Sequence, residues 1–299
     1  MEEWCEQVFF IPGETKPDSA GIILSCGVHG NETGPITTCK SLLDEILSGR
    51  VRPARHLLLI FANPRAIDAG RRYLDFNLNR LFGNAMEGGI EAERARELER
   101  ACHQLQQHCG HIHWHLDLHS TIKPSCIERF ALTPVTHQEY RYHWQPALQQ
   151  AGFGGLVYQT RRASTFSQYT LDQFGADSFT LECGSLQTQS AAGNATLLRW
   201  LIELVSDPTA PSQAQGDVPH NHASPLPEFQ VAEEIMRRSE WFRFLIAEQE
   251  PNFSEHQQGT LIYTDDNGPV AARENCYTLF LNSRVETGQR AGLLLKRLQ

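Results

Sequence analysis

His29 and Glu32 stand three residues apart in the stretch His29-Gly-Asn-Glu32, where an apolar run ends and a helical pattern begins. At that spacing an imidazole and a carboxylate can be aimed at one point, which is how a rigid element grips a metal ion. A third ligand must come from another segment. His119 directly follows the apolar run 114–118, at the strand end where open α/β sheets place their sites. Two histidines and one glutamate leave an open tetrahedral position for water, the pattern of a catalytic zinc. Asp117 precedes His119 by two residues, on the same side of a strand. There it either fixes the tautomer of a ligand imidazole or stands as a solvated strand-end aspartate. Glu182 in SFTLECGS also ends an apolar strand, where it either carries a proton between such a water and a leaving nitrogen or is a paired structural glutamate.

Two other groups compete for attention. His111, His113 and His115 alternate along one strand face, and a polar strand face accounts for them better than a second metal site. Residues 63–82, NPRAIDAGRRYLDFNLNRLF, hold Arg65, Arg71, Arg72 and Arg80 against Asp68 and Asp75, a local formal charge of +2. Arginines bind carboxylates bidentately or stabilise an oxyanion, although scattered surface arginines are commoner. Arg65 is kept as a candidate for binding a substrate carboxylate.

These residues need elements to hold them. Apolar runs at 21–28, 56–62, 114–118, 155–159 and 178–181 read as strands, and amphipathic patterns at 36–49, 91–107 and 196–205 read as helices. Alternation of the two predicts an α/β domain with a largely parallel sheet flanked by helices, over residues 1–206. Residues 207–228 carry five prolines and read as a linker. Short β-like runs at 241–247, 260–264 and 277–281 predict a smaller all-β domain over 229–299.

Composition restricts the partners. The 299-residue chain has 26 Lys+Arg against 35 Asp+Glu, a formal charge of −9, which argues against nucleic acid or an anionic membrane as partner. No apolar stretch approaches the roughly 18 residues of a membrane span. Eight scattered cysteines behind a start without a basic leader fit a reduced, cytoplasmic protein. A small anionic substrate is repelled at long range by this charge, so a pocket for one must concentrate positive charge locally. The oligomeric state is not legible.

Taken in order, GVHGNETGP, NPRA followed by RRY and LNRLF, DLHS and LECG resemble the succinylglutamate desuccinylase/aspartoacylase family, a branch of the zinc carboxypeptidase-like fold. The resemblance extends from Gly21 to RAGLLLKRL at 290–298. It implies one Zn²⁺ per chain held by His29, Glu32 and His119, with Glu182 as general base. It further implies that Arg72 polarises the scissile carbonyl, that Asn79 and Arg80 hold a substrate carboxylate, and that Asp117 supports a ligand histidine. The implied activity is amide hydrolysis of the small anionic N-acyl-amino acid N2-succinyl-L-glutamate, in arginine catabolism by the succinyltransferase route. The rival readings are an aspartoacylase-like deacylase, a carboxypeptidase, and a zinc-binding protein without catalysis. Two departures stand out: Asn77 replaces a commonly acidic residue before LNR, and FLNSRVETGQRAG lacks the tyrosine that aspartoacylases carry near the carboxyl terminus. Lys123, Ser125, Arg161 and Arg162 are further candidates for contacts to substrate carboxylates.

Overall fold

The computed structural model describes residues 1–14, 20–84, 88–136, 141–186, 191–209 and 225–298. The chain begins with the hairpin β1 (Glu2–Cys5) and β2 (Val8–Ile11), then β3 (Gly21–Cys26), α1 (Thr33–Leu47), β4 (His56–Phe61) and the short α2 (Pro64–Asp68). A 3-10 turn at Leu78–Arg80 leads to α3 (Ile90–Cys109), β5 (Ile112–Thr121), β6 (Phe130–Thr133) and α4 (Arg141–Gln150). Next come β7 (Leu156–Tyr158), α5 (Phe166–Phe174), β8 (Asp177–Ser185) and α6 (Ala191–Ser206). The remainder is β: β9 (Glu228–Met236), β10 (Arg243–Phe244), β11 (Ser254–His256), β12 (Leu261–Asp265), β13 (Gly268–Ala271), β14 (Cys276–Leu279) and β15 (Arg290–Arg297).

Among the described residues, twelve strands form one sheet in the order β1-β2-β4-β3-β5-β8-β6-β7-β9-β15-β14-β11, and β10-β12-β13 form a second. The central strands β4, β3, β5 and β8 are mutually parallel. Their apolar runs are buried on both faces, as a sheet covered by helices requires. Alternate residues serve alternate sides. Ile22, Leu24, Leu57 and Leu59 pack with Leu42, Trp144 and Leu201 of α1, α4 and α6, while Ile23, Leu58 and Ile60 pack with Leu98, Leu105 and Phe166 of α3 and α5. The mixed, helix-flanked α/β fold is the one expected.

Some expectations change. The run 241–247 yields only the two residues of β10, because this segment turns before it can pair further. Most of the expected linker, residues 210–224, lies outside the described residues. Strand β9 pairs with β7 through Leu156 opposite Glu228 and Tyr158 opposite Gln230, so the large sheet continues into the carboxyl-terminal part. No helix among the described residues is long and apolar enough to cross a membrane.

Candidate active site

The chain leaves β3 through Gly27, whose φ of +69° favours glycine, and turns so that His29 and Glu32 sit just before α1. Gly30 admits no side chain, since a Cβ there would lie 2.2 Å from the carbonyl carbon of Ala66 in α2. Glu32 is the hub: its Oε1 lies 2.7 Å from His29 Nδ1 and its Oε2 lies 3.0 Å from Nδ1 of His119, near the end of β5. Arg72 Nη1 donates to Oε1 at 3.0 Å, and the Ser120 N–H donates to Oε2 at 2.9 Å. His29, Glu32 and His119 are all buried, and their ligand atoms lie within 4.8 Å of one another, the one such grouping among the described residues.

Both imidazoles present Nδ1 to the centre because their Nε2 atoms are engaged elsewhere. His119 Nε2 lies 2.9 Å from Asp117 Oδ2, and Asp117 Oδ1 accepts from Ser25 Oγ at 2.6 Å. His29 Nε2 lies 3.0 Å from Asn77 Oδ1, which also accepts the Asn79 N–H at 3.1 Å. That second bond identifies the Asn77 atom as oxygen, so His29 must donate its Nε2–H to it. Burial, opposed by Glu32, holds His29 below the usual imidazole pKa. With its Nε2–H committed to Asn77, His29 turns Nδ1 on a carboxylate oxygen 2.7 Å away. Two electron-rich atoms at that separation call for a cation between them, and the His-Glu-His donor set suits a divalent metal.

The charges are strongly coupled. Burial opposes ionisation of Glu32, yet His29 and His119 hold its carboxyl well below the usual range. Burial likewise disfavours charge on His119, but flanking Asp117 and Glu32 raise its pKa well above the ordinary value. Glu182 in β8 stands opposite His119 in the strand register, is 7% exposed, and leaves Oε2 without a hydrogen-bond partner. Burial, the largest influence, pushes its carboxyl up to about 8 against the pull of His119.

The arginine-rich segment separates into distinct roles. Arg72 reaches the cluster with about a third of its side chain exposed. Arg80 is exposed and its Nη1 donates to the Asn79 carbonyl at 2.6 Å, while Asn79 is buried and its Oδ1 accepts the Phe166 N–H at 2.9 Å. Arg65 is exposed on α2, and its side chain makes no hydrogen bond or ion pair among the described residues. Lys123 is not available to a substrate, because its ammonium donates to the carbonyls of Glu248 and Leu281. Ser125 Oγ donates to the Ile127 carbonyl at 2.6 Å, Arg162 pairs with Asp172, and Arg161 lies 3.7 Å from Glu234.

The expected polar face of His111, His113 and His115 fails at its last member. His115 is completely buried, 2.8 Å from Ser25 Oγ and 2.8 Å from Thr170 Oγ1. Ser25 and Thr170, one on the neighbouring strand and one on α5, give it partners that no strand-face pattern could announce. Burial lowers its pKa to about 4, so it stays neutral and extends the hydrogen-bonded chain His119–Asp117–Ser25 deeper into the sheet.

Glu91 is a functional residue that no motif announces. This buried carboxylate accepts from the backbone N–H groups of Leu74, Asp75 and Phe76 at 2.6, 3.0 and 3.1 Å, pinning the loop that joins Arg72 to Asn77. In the sequence it is one more acidic residue in the first turn of a helix. Arg290 and Glu234 carry no signal in the sequence because strand pairing, not spacing, brings them to each other.

A buried donor set with an unpartnered carboxylate across the adjacent strand defines a metal-site hydrolase of α/β fold. The chain belongs to the succinylglutamate desuccinylase/aspartoacylase family: the family's catalytic-domain model matches residues 19–202, and its AstE/AspA barrel-sandwich hybrid domain matches residues 224–298. A succinylglutamate desuccinylase of Pseudomonas syringae pv. tomato is 34% identical over 291 residues, covering 95% of this chain and 85% of the relative. The crystal structure of the Chromobacterium violaceum enzyme of that name is 31% identical with a TM-score of 0.80, over 94% of this chain and 85% of the other. The Vibrio parahaemolyticus structure is 26% identical with a TM-score of 0.84, over 98% and 86%. The chain is therefore an amide hydrolase of this family.

Proposed function

We propose that the chain hydrolyses the amide of N2-succinyl-L-glutamate to succinate and L-glutamate, as a zinc enzyme of the succinyltransferase route of arginine catabolism in the cytoplasm. The observation that carries the reading is the unpartnered Oε2 of buried Glu182 beside the His29-Glu32-His119 donors. Names of the relatives support the substrate. His29, Glu32 and His119 would hold the zinc, which would supply a Lewis acid able to lower the pKa of a water toward ~7 and to polarise the scissile carbonyl.

Glu182 takes the proton of the water that attacks the succinyl carbonyl carbon. From the same position it can release that proton to the departing glutamate nitrogen. Arg72, anchored through Nη1 on Glu32, keeps its other N–H groups for the oxyanion that develops on the carbonyl oxygen. Ser25, Asp117 and Asn77 fix the imidazole tautomers, so the donors need no reorganisation. Arg80 and Asn79 lie on the turn that follows, where a guanidinium meets a substrate carboxylate.

The test is release of amino acid from succinylglutamate, acetylaspartate and a blocked dipeptide by protein of measured zinc content. Succinylglutamate is expected to be cleaved fastest, and Glu182→Gln to keep zinc while losing about 10²- to 10⁴-fold in kcat. A preference for the dipeptide overturns the assignment, and stoichiometric zinc without hydrolysis of any acyl-amino acid indicates a binding protein.

A further inference from the structure

The turn carrying Asn79 and Arg80 is tied to the loop after β7 by two bonds: the Phe166 N–H to Asn79 Oδ1 at 2.9 Å, and Asn84 Nδ2 to Ser164 Oγ at 2.9 Å. That same loop presents Arg161, which lies 3.7 Å from Glu234 of β9. Glu234 in turn lies 3.6 Å from Arg290, the first residue of β15. Two segments distant in sequence thus bring Arg161 and Arg290 to one carboxylate, and Arg80 lies within electrostatic reach of both Arg290 and Glu234. Both contacts to Glu234 are longer than the 2.7–2.9 Å of a charge-assisted hydrogen bond, so neither guanidinium is saturated by it.

Positive charge at this junction is in excess. Burial is the main influence lowering the pKa of Arg290; Arg80, whose side chain reaches solvent while its surroundings still crowd it, is lowered by that crowding and by the like charges of Arg290 and Arg72, which Glu234 only partly offsets. Arg72 also touches Glu32, so the excess lies next to the metal-binding donors. Arg290, with its side chain 22% exposed, is held 3.6 Å from one carboxylate with other guanidinium groups nearby, an arrangement that leaves room for another anion.

We propose that Arg290 joins Arg80 in binding a carboxylate of the substrate, so that the carboxyl-terminal β segment supplies a residue that selects acyl-amino acids with a second negative group. This rests on the function proposed above and deepens it. Glu234 acts as the positioning residue, steering Arg290 without neutralising the pair. The carboxylate can belong to the acyl half or to the amino-acid half of the substrate, and the experiment tells them apart.

Kinetics of wild type, Arg290→Gln and Arg290→Lys are measured with N-succinylglutamate, N-succinylglutamine and N-acetylglutamate, alongside zinc content and melting temperature. Arg290→Gln is expected to raise KM for succinylglutamate about 10- to 100-fold, with kcat within about threefold and zinc unchanged. Arg290→Lys should fall between, since it keeps the charge and loses the planar fork. The penalty should vanish with the analogue that lacks the recognised group: N-succinylglutamine if it is the glutamate side chain, N-acetylglutamate if it is the succinyl end. A KM unchanged in Arg290→Gln overturns the proposal, as does an equal rise on all three substrates. Calorimetric titration of the zinc-loaded proteins with succinate and with L-glutamate needs no turnover. If wild type binds either one at least tenfold more tightly than Arg290→Gln, the inference survives even where the substrate assignment fails; equal or absent binding in both proteins sinks it.

Discussion

His29 donates its Nε2–H to the amide oxygen of Asn77 across 3.0 Å, whereas the equivalent nitrogen of His119 faces the carboxylate of Asp117 across 2.9 Å. The two imidazoles are therefore backed by unequal acceptors, and a carboxylate makes an imidazole the stronger metal donor. Asn77→Asp should tighten zinc binding about tenfold, and Asn77→Ala should weaken it about 10- to 100-fold, in competition with a chromophoric chelator. Identical dissociation constants for all three proteins would show that the backing group has no influence.

Zinc binding should be strongly pH-dependent. Asp117 and Glu32 raise the pKa of His119 well above that of a free imidazole, so a metal ion competes with a proton for Nδ1. Below the raised pKa, affinity should fall about tenfold for each pH unit, and above it this group contributes no further gain. Chelator-buffered titrations at pH 6, 7 and 8 provide the check; a flat profile contradicts the coupling.

In zinc-free protein, the burial of Glu182 should be visible as instability at high pH. Its folded pKa of about 8 lies above the ordinary 4.5, so folding favours the protonated form. The destabilisation is absent below pH 4.5, grows between the two values, and is complete above pH 8. Glu182→Gln should match wild type at pH 4.5 and exceed it at pH 9 by at least ~1 kcal/mol, measured by thermal melting in chelator.

Glu91 gives the opposite sign. Its backbone bonds, against the desolvation that opposes them, lower its pKa, so its contribution is present above the ordinary carboxylate value and is lost as pH falls through the depressed one. Glu91→Ala leaves three loop N–H groups without their acceptor, at a cost of ~2–4 kcal/mol. Amide exchange at Leu74, Asp75 and Phe76 should accelerate and kcat/KM should fall. Unchanged exchange at those three amides would show that Glu91 does not pin the loop.

The parts of this molecule that were legible in sequence are those in which chemistry and local pattern coincide. The apolar runs that became β3, β4, β5 and β8 are long and doubly buried, and His29, Glu32, His119 and Glu182 sit at or near their ends, so locating the strands also located those residues. The illegible parts depend on pairing between distant segments. Strands β6 and β11 are only four and three residues long, too short for a periodicity to register. Alternation sets His115 on a polar face but does not say that α5 covers it. Arg290 opens the stretch RAGLLLKRL, whose spacing names no partner, and only the β9–β15 pairing brings it to Glu234.

The pairing of β7 with β9 has a consequence for how the chain can be divided. Leu156 and Val157 are fully buried, and the β7 backbone is bonded to β6 on one side and β9 on the other. A fragment stopped after α6 would carry every metal-binding residue, yet it would present β7 as an uncovered apolar edge, a template for adding strands from other molecules. Such a fragment should aggregate through that edge, so the carboxyl-terminal strands act as the protein's own cap against polymerisation.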